Sequence, residues 1–83
     1  MKKTLFALLF ALVHEVPDQA RFLAEVAQAM RAGTRALFCE PAGHVSRDAF
    51  ERSLDLAAKA GLAVEARPKV WRSHGAVLVK SAG

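Results

Sequence analysis

The stretch FALVHEVPDQ, residues 10–19, joins an apolar run to an abrupt polar break, and it decides how the chain folds. Residues 5–13 are apolar without alternation, which is typical of a strand covered on both faces. Lys2 and Lys3 give the same run the look of a secretion leader, but no small-x-small cleavage site follows it. The run is also shorter than the roughly 20 residues that span a membrane. We therefore interpret residues 1–13 as the first and central parallel strand, with a leader as the alternative.

Two amphipathic segments after this strand predict helices over residues 18–32 and 47–60. Each begins beside a side chain that can cap a helix N-terminus, and each is followed by a glycine suited to a left-handed stop. The capping side chains are those of Asp18 and Ser46, and the glycines are Gly33 and Gly61. The pattern therefore predicts two helices.

The remaining segments read as strands, at residues 34–40, 62–67 and 76–79. Strands that alternate with helices indicate parallel βαβ units, whose right-handed crossovers place successive helices on one face. The connection before the last strand is too short for a helix, so that strand should be antiparallel. We predict one α/β domain over residues 1–83: a partial Rossmann-like sheet of about four strands, the last antiparallel, with two helices on one face.

Composition narrows the classes of partner. The formal charge of +4 and pI near 9.9 suggest nucleic acid, but the Lys and Arg residues are scattered and form no stripe. We predict neither a nucleic-acid nor a membrane partner. Cys39 is the single cysteine, which excludes an intrachain disulfide and favours a cytoplasmic location, with secretion as the alternative if the leader is used.

Several segments in order resemble the C-terminal half of class I S-adenosylmethionine-dependent methyltransferases. The matching pieces are FALVHEVPD, FLAEVAQAMRAG, ALFCEPAGHVS, FERSLDLAAKAGL and AVLVK, which extend from about residue 8 to residue 80. The resemblance implies methyl transfer to a small molecule. The family's glycine-rich loop and ribose-binding acid lie upstream of these pieces, and no G-x-G occurs in the 83 residues. We therefore expect weak or no S-adenosylmethionine binding, and no methyl transfer, by this chain alone.

Polar side chains gather where the strands should end. In an open α/β sheet, ligands bind beyond the carboxyl ends of the parallel strands, and an antiparallel last strand begins at the same edge. The rim should hold His14 and Glu15 after the first strand, Glu40, Pro41 and His44 after the second, and Ser73 and His74 at the last.

Roles for these residues follow from their chemistry and from the resemblance. His14 or His44 could act as general base, and Glu40 and His74 could contact the substrate. The resemblance implies that Val13, His14 and Glu15 contact the cofactor. The alternative is that these are exposed loop residues and that Glu40 caps backbone N–H groups of the turn. No C-x-x-C or H-x-x-x-H spacing occurs, so we predict no metal site.

One sheet face should lack a helical cover although the strands are apolar on both sides. The first strand should also keep an edge without a neighbour, and such edges favour pairing. We predict a homodimer or a complementing methyltransferase half on this face; a non-catalytic α/β association module is thus the alternative function. Trp71, beside Arg72, either stacks on a planar substrate or covers the end of the sheet.

Overall fold

A computed structural model describes residues 6–10, as a strand backbone, and residues 16–81. The order of elements is the predicted strand-helix-strand-helix-strand-strand. The elements are β1 (Phe6–Phe10), α1 (Gln19–Ala29), β2 (Arg35–Pro41), α2 (Arg47–Lys59), β3 (Leu62–Ala66) and β4 (Ser73–Lys80). Within the described residues, no helix is both long and apolar enough to cross a membrane.

The four strands form one sheet in the order β1-β2-β4-β3. β1 and β2 are parallel, whereas β4 is antiparallel to both β2 and β3, which confirms the predicted direction of the last strand. The prediction that the first strand is central was wrong for the described sheet. β4 inserts between β2 and β3, so β2 and β4 form the centre and β1 lies at an edge.

The N-terminus of each helix is capped as predicted. The Asp18 carboxylate accepts from the Arg21 N–H at 3.1 Å, and the Ser46 hydroxyl accepts from the Ala49 N–H at 3.1 Å. Each bond satisfies one of the backbone donors that a first helical turn leaves without a partner. At the other end of α2, Gly61 has a φ of +98°, the left-handed stop that the sequence predicted.

The C-terminus of α1 differs from the prediction. The helix ends at Ala29, and Met30 is extended with φ −95° and ψ 141°, so the helix does not continue to residue 32. The Lys80 ammonium donates to the carbonyl oxygens of Ala27 and Met30, the acceptors that another helical turn would have used. Gly33, with φ +85°, instead makes the turn into β2.

Both helices cover the same face of the sheet, as predicted. One cluster of buried side chains joins α1 and α2 to alternate residues of the strands. Its members are Leu23, Ala27, Ala36, Phe38, Val45, Phe50, Leu54, Ala57, Leu62, Ala76 and Leu78. Because these come from every described element except β1, a single core holds the helices and sheet together.

The opposite side, which we call the helix-free face, carries Leu37, Cys39, Val77 and Val79 of β2 and β4. Leu37, Val77 and Val79 are partly buried, while Cys39 is fully buried. An ion pair between Arg35 of β2 and Glu65 of β3 reaches across β4, with Nη2 2.6 Å from Oε2. This face is therefore apolar along β2 and β4, with the ion pair of Arg35 and Glu65 at one end.

Candidate functional site

The rim at the carboxyl end of β2 brings two of the predicted residues together. Glu40 of β2 lies directly opposite His74 of β4 in the antiparallel register. Side chains of opposite residues share a face of the sheet and are neighbours on it. Glu40 is buried, with 1% of its surface exposed, and His74 is half-buried. The sequence thus identified a pair that β-strand pairing places side by side.

His74 is held in one orientation by the segment after β2. Its Nε2 lies 2.8 Å from the carbonyl oxygen of Val45, and its ring centroid lies 5.3 Å from that of Phe50. A carbonyl oxygen only accepts, so Nε2 must carry the proton in this hydrogen bond. In the neutral ring, Nδ1 is then the nitrogen that keeps a lone pair. Any proton transfer at His74 would have to use Nδ1.

His44 lies at the same edge but in a different environment. It is exposed in the turn after β2, and its backbone N–H donates to the Pro41 carbonyl at 3.1 Å. The next residue, Val45, supplies the carbonyl that holds His74, so this turn connects the two histidines. Val13, His14 and Glu15, the residues predicted to contact the cofactor, lie outside the described residues.

A cavity of about 280 Å³ opens beside His74, between the first half of α2 and the loop that joins β3 to β4. Glu40 and His44 do not line it. Its charged lining residues were not among those predicted from the sequence; they are Arg47, Glu51, Arg67 and Lys69. The available signal was the i, i+4 spacing of Arg47 and Glu51, which puts both side chains on one side of α2.

An ion pair forms part of the lining of this cavity. The Arg67 guanidinium donates to both carboxylate oxygens of Glu51, at 2.6 and 3.0 Å. This bidentate geometry favours the charged form of the carboxyl, and the hydrogen bond from Arg67 is the main cause that lowers the Glu51 pKa below its ordinary value of 4.5. Arg47 and His74 lower the same pKa through their charges to a smaller extent.

The thiol of Cys39 does not belong to this site. It lies on the helix-free face and has 0% exposure. Burial raises its pKa, and the neighbouring Glu40 charge raises it further, so the reactive thiolate is disfavoured. Among residues 16–81, no three His, Cys, Asp or Glu side chains are grouped so as to hold a metal ion.

Trp71 does not cover the end of the sheet. Its side chain is 81% exposed, and the Arg72 guanidinium carbon lies 4.7 Å from the centre of its ring. The covering role considered for it from the sequence is therefore wrong. The residue stands at the tip of the β3–β4 loop, where Arg72 takes a left-handed φ of 52° to complete the tight turn.

A second cavity, of about 500 Å³, lies between Gln19 at the start of α1 and one side of α2. Its charged lining is mixed, with Arg52 and Lys59 accompanied by Asp55. Neither His74 nor any other residue of the predicted rim contributes to it. The larger space is therefore the weaker candidate, because no residue of the rim where open α/β sheets bind ligands lines it.

Comparison with known proteins supports the fold. No protein-family model matches the chain, and no curated protein matches it. The crystal structure of a methyltransferase from Pyrococcus furiosus is similar to 89% of this chain, with a TM-score of 0.56 and 13% identical residues. The chain spans 40% of the length of that protein. The described residues thus have a partial Rossmann-like methyltransferase fold, with four strands and two helices on one face.

Proposed function

We propose that the chain is the C-terminal half of an S-adenosylmethionine-dependent methyltransferase and carries the side of the site that binds a small-molecule methyl acceptor. The observation that carries this proposal is the order and direction of the elements, with an antiparallel β4 between β2 and β3. The similar methyltransferase structure supports the proposal at the level of fold. We propose a cytoplasmic setting, which suits the free thiol of Cys39.

The charge of the described cavity suits an acceptor better than the cofactor. S-adenosylmethionine, when bound, supplies an electrophilic methyl carbon on a positively charged sulfur. The cavity lining includes three cationic side chains and one carboxylate, so it would repel that charge. Val13, His14 and Glu15 stay the proposed cofactor contacts, by resemblance.

In this proposal, the two histidines of the described rim are the candidates to accept a proton from the substrate. The Nδ1 of His74 is the candidate base for a proton released by the acceptor, because its Nε2 is committed to the Val45 carbonyl. His44, which is exposed on the same turn, is the other candidate. Glu40, buried opposite His74, is proposed to help position the substrate.

S-adenosylmethionine is expected to bind the 83-residue chain weakly or not at all. The resemblance assigns the glycine-rich loop and the ribose-binding acid to a region upstream of the matched residues, and these groups supply most contacts to such a cofactor. Titration calorimetry should show no saturation up to about 1 mM cofactor. An intact methyltransferase in the same buffer serves as the positive control. Micromolar binding by this chain would contradict the assignment of the missing groups.

The helix-free face supports a second candidate function, an association module without catalysis. Leu37, Val77 and Val79 give this face an apolar strip that no described helix covers. Within the described residues, β1 pairs with β2 and has no strand on its other edge. Both features favour pairing with a second copy of the chain or with a complementing half.

Self-association through this face predicts a dimer in sedimentation at micromolar concentration. The Val77→Asp variant should be monomeric, because an uncompensated carboxylate within the apolar strip would be costly to bury at an interface. Val64→Asp is the matched control, since Val64 is 38% exposed on β3 and outside the strip. Circular dichroism checks that both variants are folded. A monomeric parent chain would contradict the homodimer.

A further inference from the structure

One wall of the cavity beside His74 is the β3–β4 loop, which is anchored to the sheet. The β3–β4 loop lies directly on β4 at Gly75, where a Cβ atom would come within 3.0 Å of both the Pro68 carbonyl oxygen and a Val70 methyl carbon. The Ala42 N–H also donates to the Arg72 carbonyl at 2.9 Å and ties the loop to the end of β2. The loop that closes the cavity is therefore anchored at two points.

The electrostatic character of the cavity is positive. Arg67 is neutralised by its bidentate pair with Glu51. Arg47 and Lys69 line the same space, and neither forms an ion pair within the part of the chain that the structure describes. Two cationic side chains around one small cavity thus form no ion pair of their own, and the one carboxylate that the charge of Arg47 also reaches, Glu51, is already held by Arg67. Such an arrangement attracts an anion.

The shape and walls of the cavity narrow the class of anion. Its volume of about 280 Å³ suits a molecule at the small end of the usual ligand range. Phe50 and Val70 contribute apolar wall, whereas Arg47 and Lys69 are exposed residues of the same lining. An apolar ring or chain that ends in one carboxylate satisfies both kinds of surface. Inorganic phosphate would leave the apolar wall without a partner.

We propose that this cavity binds a small carboxylate whose apolar body packs against Phe50 and Val70 and whose charge is held by Arg47 and Lys69. The inference rests on the proposed function only in making this carboxylate the methyl acceptor. Binding itself requires no cofactor. The acceptor class and the methyl-transfer function can therefore fail separately.

Benzoate is the probe, titrated into the whole 83-residue chain. Trp71 is the single tryptophan, lies next to Val70 in the sequence and is exposed, so its fluorescence reports on the loop. Two-dimensional NMR of the same samples provides a second measurement. Saturable shifts at residues around the cavity are expected with benzoate. Benzamide, which has the same ring without the charge, and inorganic phosphate should each bind at least about tenfold more weakly.

The variant that tests the charged contacts is Arg47→Gln combined with Lys69→Gln. Its benzoate affinity should fall at least about tenfold, because both charge-assisted contacts are lost. Arg52→Gln with Lys59→Gln is the matched control: it removes the same charge from exposed residues of α2 that line the other cavity. The control should bind benzoate as the parent chain does. The single Arg47→Gln and Lys69→Gln variants provide the test if the double variant does not fold.

Several results would overturn the proposal. These are absence of saturable benzoate binding in both measurements, equal binding of benzamide or phosphate, and an equal loss of affinity in the control variant. Methyl transfer is measured separately, after the chain is combined with a cofactor-binding half. Benzoate binding without methyl transfer would leave the carboxylate cavity standing and count against the methyltransferase proposal.

Discussion

Substitution of Phe38 by alanine is expected to lower the free energy of unfolding by about 3–5 kcal/mol. Phe38 is completely buried in β2, and its ring centroid lies 4.9 Å from that of Phe50 on α2. Alanine would leave a void between the sheet and α2 that the surrounding side chains can only partly fill. The measurement is urea unfolding followed by circular dichroism.

The effect of this substitution is large relative to the stability of so small a chain. At about 0.05–0.15 kcal/mol per residue, 83 residues give a total of roughly 4–12 kcal/mol. Trp71→Ala is the control, because it removes an even larger aromatic ring that is 81% exposed, and its cost should stay within about 0.5 kcal/mol. A loss below about 1 kcal/mol for Phe38→Ala would show that the core is not packed as described.

The second large effect is expected at Lys80, a residue of β4 whose side chain binds the C-terminus of α1. Its ammonium donates to the carbonyl oxygens of Ala27 and Met30. Hydrogen bonds from a charged donor are worth about 1.5–3 kcal/mol, and a cation at a helix C-terminus is further favoured by the helix dipole. Lys80→Met keeps the length of the side chain but removes the donors. We expect a loss of about 2–3 kcal/mol in the free energy of unfolding.

The control for Lys80→Met is Lys59→Met. Lys59 also lies in the last turn of a helix, but it is exposed, and its loss should cost less than about 0.5 kcal/mol. Amide hydrogen exchange adds a local test: the last turn of α1 should lose protection in the Lys80 variant, while α2 keeps it. Equal losses in the two variants would contradict the role assigned to Lys80.

The location of the cavity changes which rim residue is the best candidate for a chemical role. Ser73 and His74 are the predicted rim residues that line it, whereas Glu40 lies opposite His74 on the neighbouring strand and His44 is exposed. His74 is half-buried between the cavity and the buried Glu40 carboxylate, which makes it the residue on the described rim to test first for a role in proton transfer. This gives His74 a more prominent place than the sequence did, which proposed His14 and His44 as bases.

Local sequence was sufficient for features that depend on nearby residues. The capping bonds of Asp18 and Ser46 and the left-handed turn at Gly61 each involve partners within a few positions along the chain. The two helices on one face and the antiparallel last strand also followed from the alternation of segments, because crossover handedness and connection length restrict the topology. These predictions were all confirmed.

Tertiary structure decided what depends on partners far apart in sequence. α1 ends at Ala29 and not at residue 32, and the Met30 carbonyl is bound there by a lysine 50 positions further along, a partner that no local pattern identifies. β4 begins at Ser73, well before its apolar segment, since pairing with β2 extends to Pro41.

The cavity arises in the same way. Glu51 and Arg67 are 16 positions apart, and only the packing of the β3–β4 loop against α2 and Gly75 brings them together. Helix caps and turns are stabilised by residues that are close in sequence, so the sequence by itself determined the elements and their order. The cavity is stabilised by contacts that exist only after the strands have paired in register. The folded structure alone therefore decided the position and the charge of the cavity.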